Sequence, residues 1–205
     1  MRPGIFRFGY VSTSVQSPQY NCLDLKGTII IHGDVAFGSG SSIEVHKNAI
    51  LDIGDWVWCN NQTKIFCHSK IVIGPKFLSG WEVQIFDTDM HYLIVNGRIH
   101  QNSNPINIGE GVWVGNRTTI AKGTIIPKNS VVTSYSLTNK DFTTFGENLL
   151  IGGIPARLIK DSTKCVMWRG QGPATLLEPQ IDDYFIHNDI ESIDANESWL
   201  ANYIL

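Results

Sequence analysis

Residues 108–132, IGEGVWVGNRTTIAKGTIIPKNSVV, repeat one pattern every six residues. In each hexad one position holds a β-branched aliphatic residue, and a position four residues later holds a small or β-branched one. The aliphatic series is Ile108, Val114, Ile120, Ile126 and Val132, and the second series is Val112, Thr118, Thr124, Ser130 and Ser136. A helix repeats every 3.6 residues and a strand every two, so neither produces this spacing.

Short strands of equal length, joined by equal turns, explain the pattern. Three hexads make one triangular coil, in which the aliphatic side chain points inward and the small side chain fits beside a corner. Each coil then buries its apolar edge on the next coil. A β-sandwich or jelly roll is the alternative, but it does not require strict six-residue spacing. The sequence therefore predicts a stack of β coils.

The first half of the chain carries the same repeat less regularly. Its series are Ile31, Phe37 and Ile43, then Ile53, Cys59, Ile65 and Ile71, and finally Ile73, Ser79 and Ile85, two residues out of phase. We therefore expect coils over residues 27–89 and again over about 106–137. Residues 92–105, YLIVNGRIHQNSNP, are out of period and predict a loop ejected from the coil.

Length and composition favour one main domain of ordinary globular type, with 205 residues and 42% hydrophobic residues. No apolar run is long enough for a signal peptide or a membrane-spanning helix. The four cysteines, Cys22, Cys59, Cys67 and Cys165, lack CxxC spacing, and most of them fit buried thiols in a reducing compartment. We therefore expect a cytoplasmic protein without stable membrane insertion.

Charge divides the chain unevenly. Residues 171–205 contain seven acids and no Lys or Arg, which leaves 16 basic against 12 acidic residues (19 − 7) elsewhere. A mildly basic body suits an anionic small molecule, but its positive charge is far below that of a nucleic-acid-binding surface.

We expect a lead-in at 1–26, a β-helix domain at 27–168 and an acidic tail at 169–205. Ile190, Ile193, Leu200 and Ile204 predict a short helix in that tail, although an untethered tail is the alternative.

The repeat, INIGEGVWVGNRTTIAKGTIIPKNSVV, followed by IGGIPARLIK, resembles the hexapeptide-repeat acyltransferases, whose fold is a left-handed parallel β-helix. The D-x-H element in IFDTDMH (residues 85–91), the ejected loop, VWVG and GIPAR are similar to the maltose, galactoside and capsule or O-antigen O-acetyltransferases. The similarity covers about residues 27–168. It implies acetyl transfer from acetyl-CoA, the co-substrate, to a sugar or glycan hydroxyl, without a required metal.

His91 matches the general base of that family. A neutral imidazole can take the proton of the attacking hydroxyl and return it to the leaving thiolate. An acid on the far ring nitrogen would fix the tautomer, and Asp89 is our preference. If the segment stays extended, Asp87, Asp89 and His91 share one face, so Asp87 could orient His91 or contact the substrate. A more distant acid, or an Asp that only caps the loop turn, remains open.

Three further residues form the acceptor side by resemblance. The backbone N–H of Asn116, just after VWVG, would hold the oxyanion of the tetrahedral intermediate. Trp113 would wall the acceptor site, or else cover a seam between chains. Asn60 falls where the galactoside enzymes hold an acceptor-contacting asparagine, and its alternative is a plain turn residue with a left-handed backbone.

Coenzyme A needs a groove for pantetheine and cations for its phosphates. By resemblance, Ser134, Asn139 and Lys140 line the groove and Arg157 lies near the nucleotide; solvated surface side chains are the alternative for Lys140 and Arg157. The chain departs from the family here, because Tyr135 follows Ser134 where relatives have small residues, and Asn139 replaces a common Thr.

Other functions on the same fold give different expectations. A γ-class carbonic anhydrase would use three zinc-binding histidines, two of them five residues apart, and no histidine pair here has that spacing. An N-acyltransferase acting on a nucleotide-linked amino sugar, or a non-catalytic β-helix binding module, would keep the hexad. The resemblance further implies a homotrimer, in which His91 of one chain faces Trp113 and the coenzyme groove of its neighbour.

Overall fold

The computed structural model describes residues 4–10 and 19–163. Regular structure in these residues is β, apart from a short 3-10 helix at Thr143–Phe145. The predicted acidic tail, its helix and the domain end at residue 168 lie outside the described residues. The strands, in chain order, are β1 (Phe6–Tyr10), β2 (Cys22–Leu25), β3 (Thr28–Ile31), β4 (Val35–Gly38), β5 (Ser42–Val45), β6 (Ile50–Ile53), β7 (Val57–Cys59), β8 (Lys64–Cys67), β9 (Lys70–Ile73), β10 (Leu78–Ser79), β11 (Gln84–Phe86), β12 (Leu93–Val95), β13 (Arg98–His100), β14 (Ile106–Ile108), β15 (Trp113–Val114), β16 (Thr119–Ala121), β17 (Ile125–Ile126), β18 (Val131–Val132), β19 (Leu137–Thr138), β20 (Leu150–Gly153) and β21 (Ala156–Lys160).

Three parallel sheets form the three sides of a prism. Face A contains β1, β4, β7, β10, β15, β18 and β20; face B contains β2, β5, β8, β11, β16 and β19; and face C contains β3, β6, β9, β14 and β17. The chain visits the faces in the order A, B, C and then rises to the next coil. The predicted fold, a left-handed parallel β-helix, is confirmed.

Coil length explains why the repeat is clean in one half of the sequence and not in the other. Trp113 pairs with Val131, 18 residues further on, which is three hexads. Val35 pairs with Val57, 22 residues further on, because the earlier coils carry longer corners such as residues 46–49. These extra corner residues shift the phase of the aliphatic series from one coil to the next.

The two hexad series occupy the places that the sequence predicts. All five aliphatic residues from Ile108 to Val132 are at most 1% exposed. The small residues are buried at corners, where their hydroxyls donate to turn carbonyls; for example, Thr124 Oγ1 donates to Ala121 O at 2.7 Å and Ser136 Oγ to Thr133 O at 2.7 Å. Serine and threonine recur there because they are compact and because their hydroxyls donate to turn carbonyls that receive no hydrogen bond from a neighbouring strand.

Strand pairing extends beyond the coils expected from the repeat. β1 pairs with β4 and β2 with β5, so the stack begins ahead of residue 27. At the other end, β20 and β21 form an antiparallel hairpin through the GIPAR segment, which closes face A. Ile31, the first residue of the early series, is 36% exposed because β3 is the edge strand of face C.

Candidate active site

The ejected loop interrupts the fourth coil between face B and face C. Gln84 of β11 pairs with Thr119, 35 residues further on, whereas Thr119 pairs with Leu137 after only 18. The predicted loop is therefore confirmed, and it contains the antiparallel hairpin of β12 and β13. Asn96 and Gly97 form its tip with φ of 51° and 73°, the left-handed conformation typical of two-residue hairpin turns.

Backbone hydrogen bonds fix the base of the loop. The Asp89 N–H donates to Asn102 O at 2.7 Å, and the Asn104 N–H donates to Asp87 O at 2.9 Å. The two ends of the loop are thus held against each other where they leave the prism. Residues 87–91 consequently have a defined position at the corner between faces B and C.

His91 lies at this base, directly after a tight turn. Its N–H donates to Asp89 O at 2.7 Å, and Met90 adopts a left-handed φ of 63°. The imidazole is exposed, and neither ring nitrogen bonds another described residue. Both nitrogens are therefore available to a substrate or to a second chain.

The acids around His91 are placed differently from the extended arrangement. Because the chain turns at Met90, Asp87, Asp89 and His91 do not share a face. The Asp89 carboxylate forms an ion pair with Lys122, with Oδ2 and Nζ 2.5 Å apart. Within one chain, the structure does not bring the Asp89 carboxylate onto His91.

Asp87 is buried and serves the preceding coil. Its Oδ1 accepts from the His68 N–H and its Oδ2 from the Ser69 N–H, both at 2.7 Å. Both oxygens are thus occupied by the turn between β8 and β9. This differs from the turn-capping alternative, in which an Asp caps the turn of its own loop, because the turn that Asp87 caps belongs to the preceding coil.

Replacing Asp87 with Asn should destabilise the protein by about 1–3 kcal/mol, because one buried N–H would face an amide NH₂ instead of an oxygen. Urea unfolding of purified protein measures this loss. Asp89→Asn is the matched control, since its exposed ion pair contributes about 1 kcal/mol or less. Equal destabilisation by the two changes would contradict the role assigned to Asp87.

A second corner, between faces A and B, carries the predicted acceptor residues. We call it the AB corner; four of its described turns are residues 60–63, 80–83, 115–118 and 133–136. They have equal length and flank strands paired in register, so they stack directly. The AB corner carries Asn60, Asn116 and Ser134, with Asn60 two coils before Asn116. Trp113 lies beside it on face A with 42% of its surface exposed.

The position of Asn116 is fixed from several sides. Its Oδ1 accepts from the Trp81 N–H at 2.9 Å, and its carbonyl accepts from the Tyr135 N–H at 2.9 Å. Gly80 packs so closely that an added Cβ would lie 2.0 Å from Asn116 Oδ1 and 2.8 Å from its N. A backbone held this tightly can keep an N–H directed at one point, as an oxyanion donor requires.

Three side chains clamp the same corner, and of these the sequence singled out Tyr135 but neither Glu82 nor Arg117. Arg117 donates from Nε and Nη2 to the Glu82 carboxylate at 2.8 and 3.2 Å, and from Nη1 to the Tyr135 hydroxyl at 2.6 Å. Glu82, Arg117 and Tyr135 occupy the same position in three successive turns. Aligning the coils, rather than searching for a motif, could have revealed the clamp.

Removing the clamp should have a small, pH-dependent effect. Hydrogen bonds from Arg117 hold the pKa of the Glu82 carboxyl below its ordinary value of 4.5. A lowered carboxyl pKa gives stability that is present above pH 4.5 and is lost as the pH falls further. Glu82→Gln should therefore melt a few degrees below wild type at pH 7, with a gap that narrows below pH 4.5. Glu147→Gln, at an exposed acid, should show neither effect in the same thermal scans.

The predicted coenzyme residues lie in three different places. Ser134 is on the AB corner, whereas Asn139 and Lys140 follow β19 at the corner that carries His91. The Lys140 ammonium lies 5.1 Å from the centroid of the Phe142 ring. Arg157 is exposed on β21, opposite Gly152. A single chain therefore does not assemble these four side chains into one groove.

Comparison with known proteins places the chain in a family. No protein-family model matches it. It is 38% identical over 152 residues to WbbJ of Escherichia coli K12, a protein assigned by name to lipopolysaccharide biosynthesis O-acetyl transfer; the match covers 65% of this chain and 72% of WbbJ. The chain belongs to the hexapeptide-repeat acyltransferases.

Two further similarities are consistent with that assignment. The chain is 30% identical to the galactoside O-acetyltransferase of Escherichia coli K12 over 130 residues, 62% of this chain and 58% of that relative, so it spans under two thirds of this relative's length. It shares its fold with AntD, an N-acyltransferase from Bacillus cereus solved with dTDP-4-amino-4,6-dideoxyglucose and coenzyme A. The TM-score is 0.54 at 13% identity, over 89% of this chain and 92% of AntD.

Two kinds of feature are absent from the part of the chain that the structure describes. Within residues 4–10 and 19–163, no group of three His, Cys, Asp or Glu side chains converges as a metal site would need. The same part of the chain contains no helix with the length and apolar character of a membrane span.

Proposed function

We propose that this chain is an acetyl-CoA-dependent O-acetyltransferase that acetylates a hydroxyl of a sugar or of a surface-polysaccharide building unit. The observation that carries the proposal is His91, an exposed imidazole without a described partner, held by backbone bonds at the base of the loop in a member of this family. The names of the relatives, galactoside and lipopolysaccharide acetyltransferases, support a carbohydrate acceptor.

The proposed chemistry is a direct transfer. His91 takes the proton of the acceptor hydroxyl as its oxygen attacks the thioester carbon, and the Asn116 N–H donates to the resulting oxyanion. When the C–S bond breaks, His91 returns the proton to the thiolate. The products are an O-acetyl ester and coenzyme A with a free thiol, and no step requires a metal.

The orienting acid is proposed to be Asp89. Its Oδ2 is paired with Lys122, but its Oδ1 makes no hydrogen bond to another described residue. Oδ1 can therefore accept from the imidazole once a substrate draws the ring toward the loop base. Lys122 then serves to keep the carboxylate in place.

The complete site is proposed to form between two chains of a homotrimer. His91 and Asn116 lie on different corners of one prism, whereas a neighbouring prism could present its AB corner to His91. The loop hairpin supports this assembly because five apolar side chains on it, Tyr92, Leu93, Ile94, Val95 and Ile99, are 48–72% exposed. Apolar patches of this kind mark contacts with another protein surface.

The same assembly gives a place for acetyl-CoA. Ser134 on one chain and Asn139 and Lys140 on its neighbour would then line one groove, with Arg157 near its nucleotide end. Tyr135 is held against Arg117 by its hydroxyl and therefore borders this groove rather than filling it. The galactoside-like Asn60 and Trp113 remain on the acceptor side.

A coupled assay tests the proposal. Purified protein is mixed with acetyl-CoA and a panel of mono- and oligosaccharides, free thiol is followed, and products are identified by mass spectrometry before and after mild base. We expect thiol release that depends on the sugar and a base-labile ester. A base-stable product would indicate an N-acyltransferase, and the absence of both turnover and coenzyme binding would indicate a binding module.

A further inference from the structure

A polar groove lies on face B beside the AB corner. Its volume is about 480 Å³, within the range of small-ligand sites. It crosses the first to the fifth coil, and its wall includes Gln19, Gln62, Lys64, Glu82, Gln84 and Arg117. The proposed acetyl transfer assigns no role to this groove.

Because the strands of successive coils pair in register, the residues that line the groove are aligned along the prism. Lys64 and Gln84 are paired on the neighbouring strands β8 and β11. Gln62, Glu82 and Arg117 occupy equivalent turn positions, with left-handed φ of 62°, 60° and 55°. Adjacent coils are about 4.8 Å apart, so these turn residues span roughly 10 Å along the prism, more than one sugar ring requires.

The hydrogen-bonding groups of the groove are largely unused. The side-chain amides of Gln19, Gln62 and Gln84 and the ammonium of Lys64 make no hydrogen bond or ion pair with another described residue. Each amide can donate two hydrogen bonds and accept through its oxygen. A carbohydrate hydroxyl also donates and accepts, so three free amides along one groove match a chain of sugar rings.

The charge of the groove indicates which carbohydrate it suits. Glu82 is neutralised by two hydrogen bonds from Arg117. Lys64 also acts on Glu82 through its charge but forms no ion pair with a described residue. With Lys64 and Arg117 against Glu82, the described lining carries one net positive charge. An ammonium beside free amides favours a carboxylate carried on a hydroxyl-rich ligand.

The groove is continuous with the proposed acceptor site. Gln62 and Arg117 follow Asn61 and Asn116 directly in the chain and lie in the same stacked turns. A saccharide with one ring at Asn116 could extend its other rings toward the earlier coils. We propose that the groove is a subsite for an acidic oligosaccharide segment, next to the sugar that is acetylated, with a sugar carboxylate at Lys64. This inference rests on the proposed function, because it assumes that the acceptor binds at the AB corner.

Lys64→Gln tests the subsite, with Lys70→Gln as a matched control. Both lysines are exposed, and each is the first residue of a strand: Lys64 of β8 (KIFC) and Lys70 of β9 (KIVI). Lys64 lies on face B, whereas Lys70 lies on face C. The probes are trigalacturonate, which is acidic, and maltotriose, which is neutral and equally long. Binding to the full chain is measured by calorimetry without coenzyme A, and transfer is measured separately.

We expect trigalacturonate binding to weaken about two- to fivefold in Lys64→Gln and to fall with added salt, as for other exposed charge pairs. Maltotriose binding and the Lys70→Gln variant should be unchanged. The subsite would be wrong if Lys64→Gln bound both probes more weakly by the same factor, or bound both as wild type does. It would also be wrong if the substitution changed the molecular mass of the assembly, because the groove would then be a contact between chains. If trigalacturonate binding depended on Lys64 but no acetyl transfer were detected, the proposed function alone would be contradicted. If acetyl transfer to trigalacturonate occurred without depending on Lys64, the subsite alone would be contradicted.

Discussion

We expect His91→Asn to lower kcat for acetyl transfer by about 10²–10⁴-fold, the usual contribution of a general base. Asparagine keeps a polar side chain at the loop base but cannot take the proton of the acceptor hydroxyl. Because the imidazole is exposed and makes no described hydrogen bond, the melting temperature should stay close to that of wild type. The measurement is initial-rate kinetics of thiol release, with thermal unfolding alongside.

His100→Asn is the control for this change. His100 is an exposed histidine on β13 of the same loop, so the substitution has the same chemistry in the same element. It should leave kcat within about twofold of wild type, as expected for a surface residue outside the site. If His91→Asn retained its turnover, or if both substitutions reduced it equally, His91 would not be the base.

The repeat predicted the interior of the fold because the prism has one rule for buried positions. Ile108 and Val132 are buried for the same reason, each at the same place in its hexad. In the first half, the burial of Phe37 and Ile65 was also predicted, but the phase between series was not. The longer corners there add residues outside the hexad, and nothing in the pattern shows how many.

The candidate site was less predictable because it lies where the repeat stops. The two-residue period aligns Asp87, Asp89 and His91 only while the chain is extended, and it turns at Met90. Asp87 is occupied by N–H groups of residues 68 and 69, which are distant in sequence. Contacts of this kind follow from coil stacking, and the local sequence around Asp87 contains no sign of them.

The Glu82, Arg117 and Tyr135 clamp illustrates the same limit in a different way. These residues are 35 and 18 positions apart, so no short motif contains them. They become neighbours only when equivalent turns are superposed, and the inserted loop hides that equivalence between Glu82 and Arg117. The sequence predicted the faces of the prism, whereas the side-chain network across its corners required the structure.

A site shared between chains makes a prediction about mixed trimers. His91→Asn removes the base, and Trp113→Asp places a charge in the proposed acceptor wall, which should lower kcat/KM by about tenfold or more. The two variants are co-expressed with different affinity tags, and assemblies carrying both tags are purified in two steps. The measured quantity is kcat/KM per trimer, at subsaturating acceptor, relative to each variant alone and to tagged wild type.

The geometry of a three-fold ring fixes the expected value. Going around a ring that contains both variants, there is one junction at which a chain with intact His91 faces a neighbour with intact Trp113. This holds for both the two-to-one and the one-to-two composition, so each mixed trimer should have one intact site and about one third of wild-type activity. If His91 and Trp113 of the same chain formed the site, every chain of a mixed trimer would carry one of the two substitutions, and no site would be intact. Mixed assemblies would then show only the average of the two variants, and the shared site would be wrong.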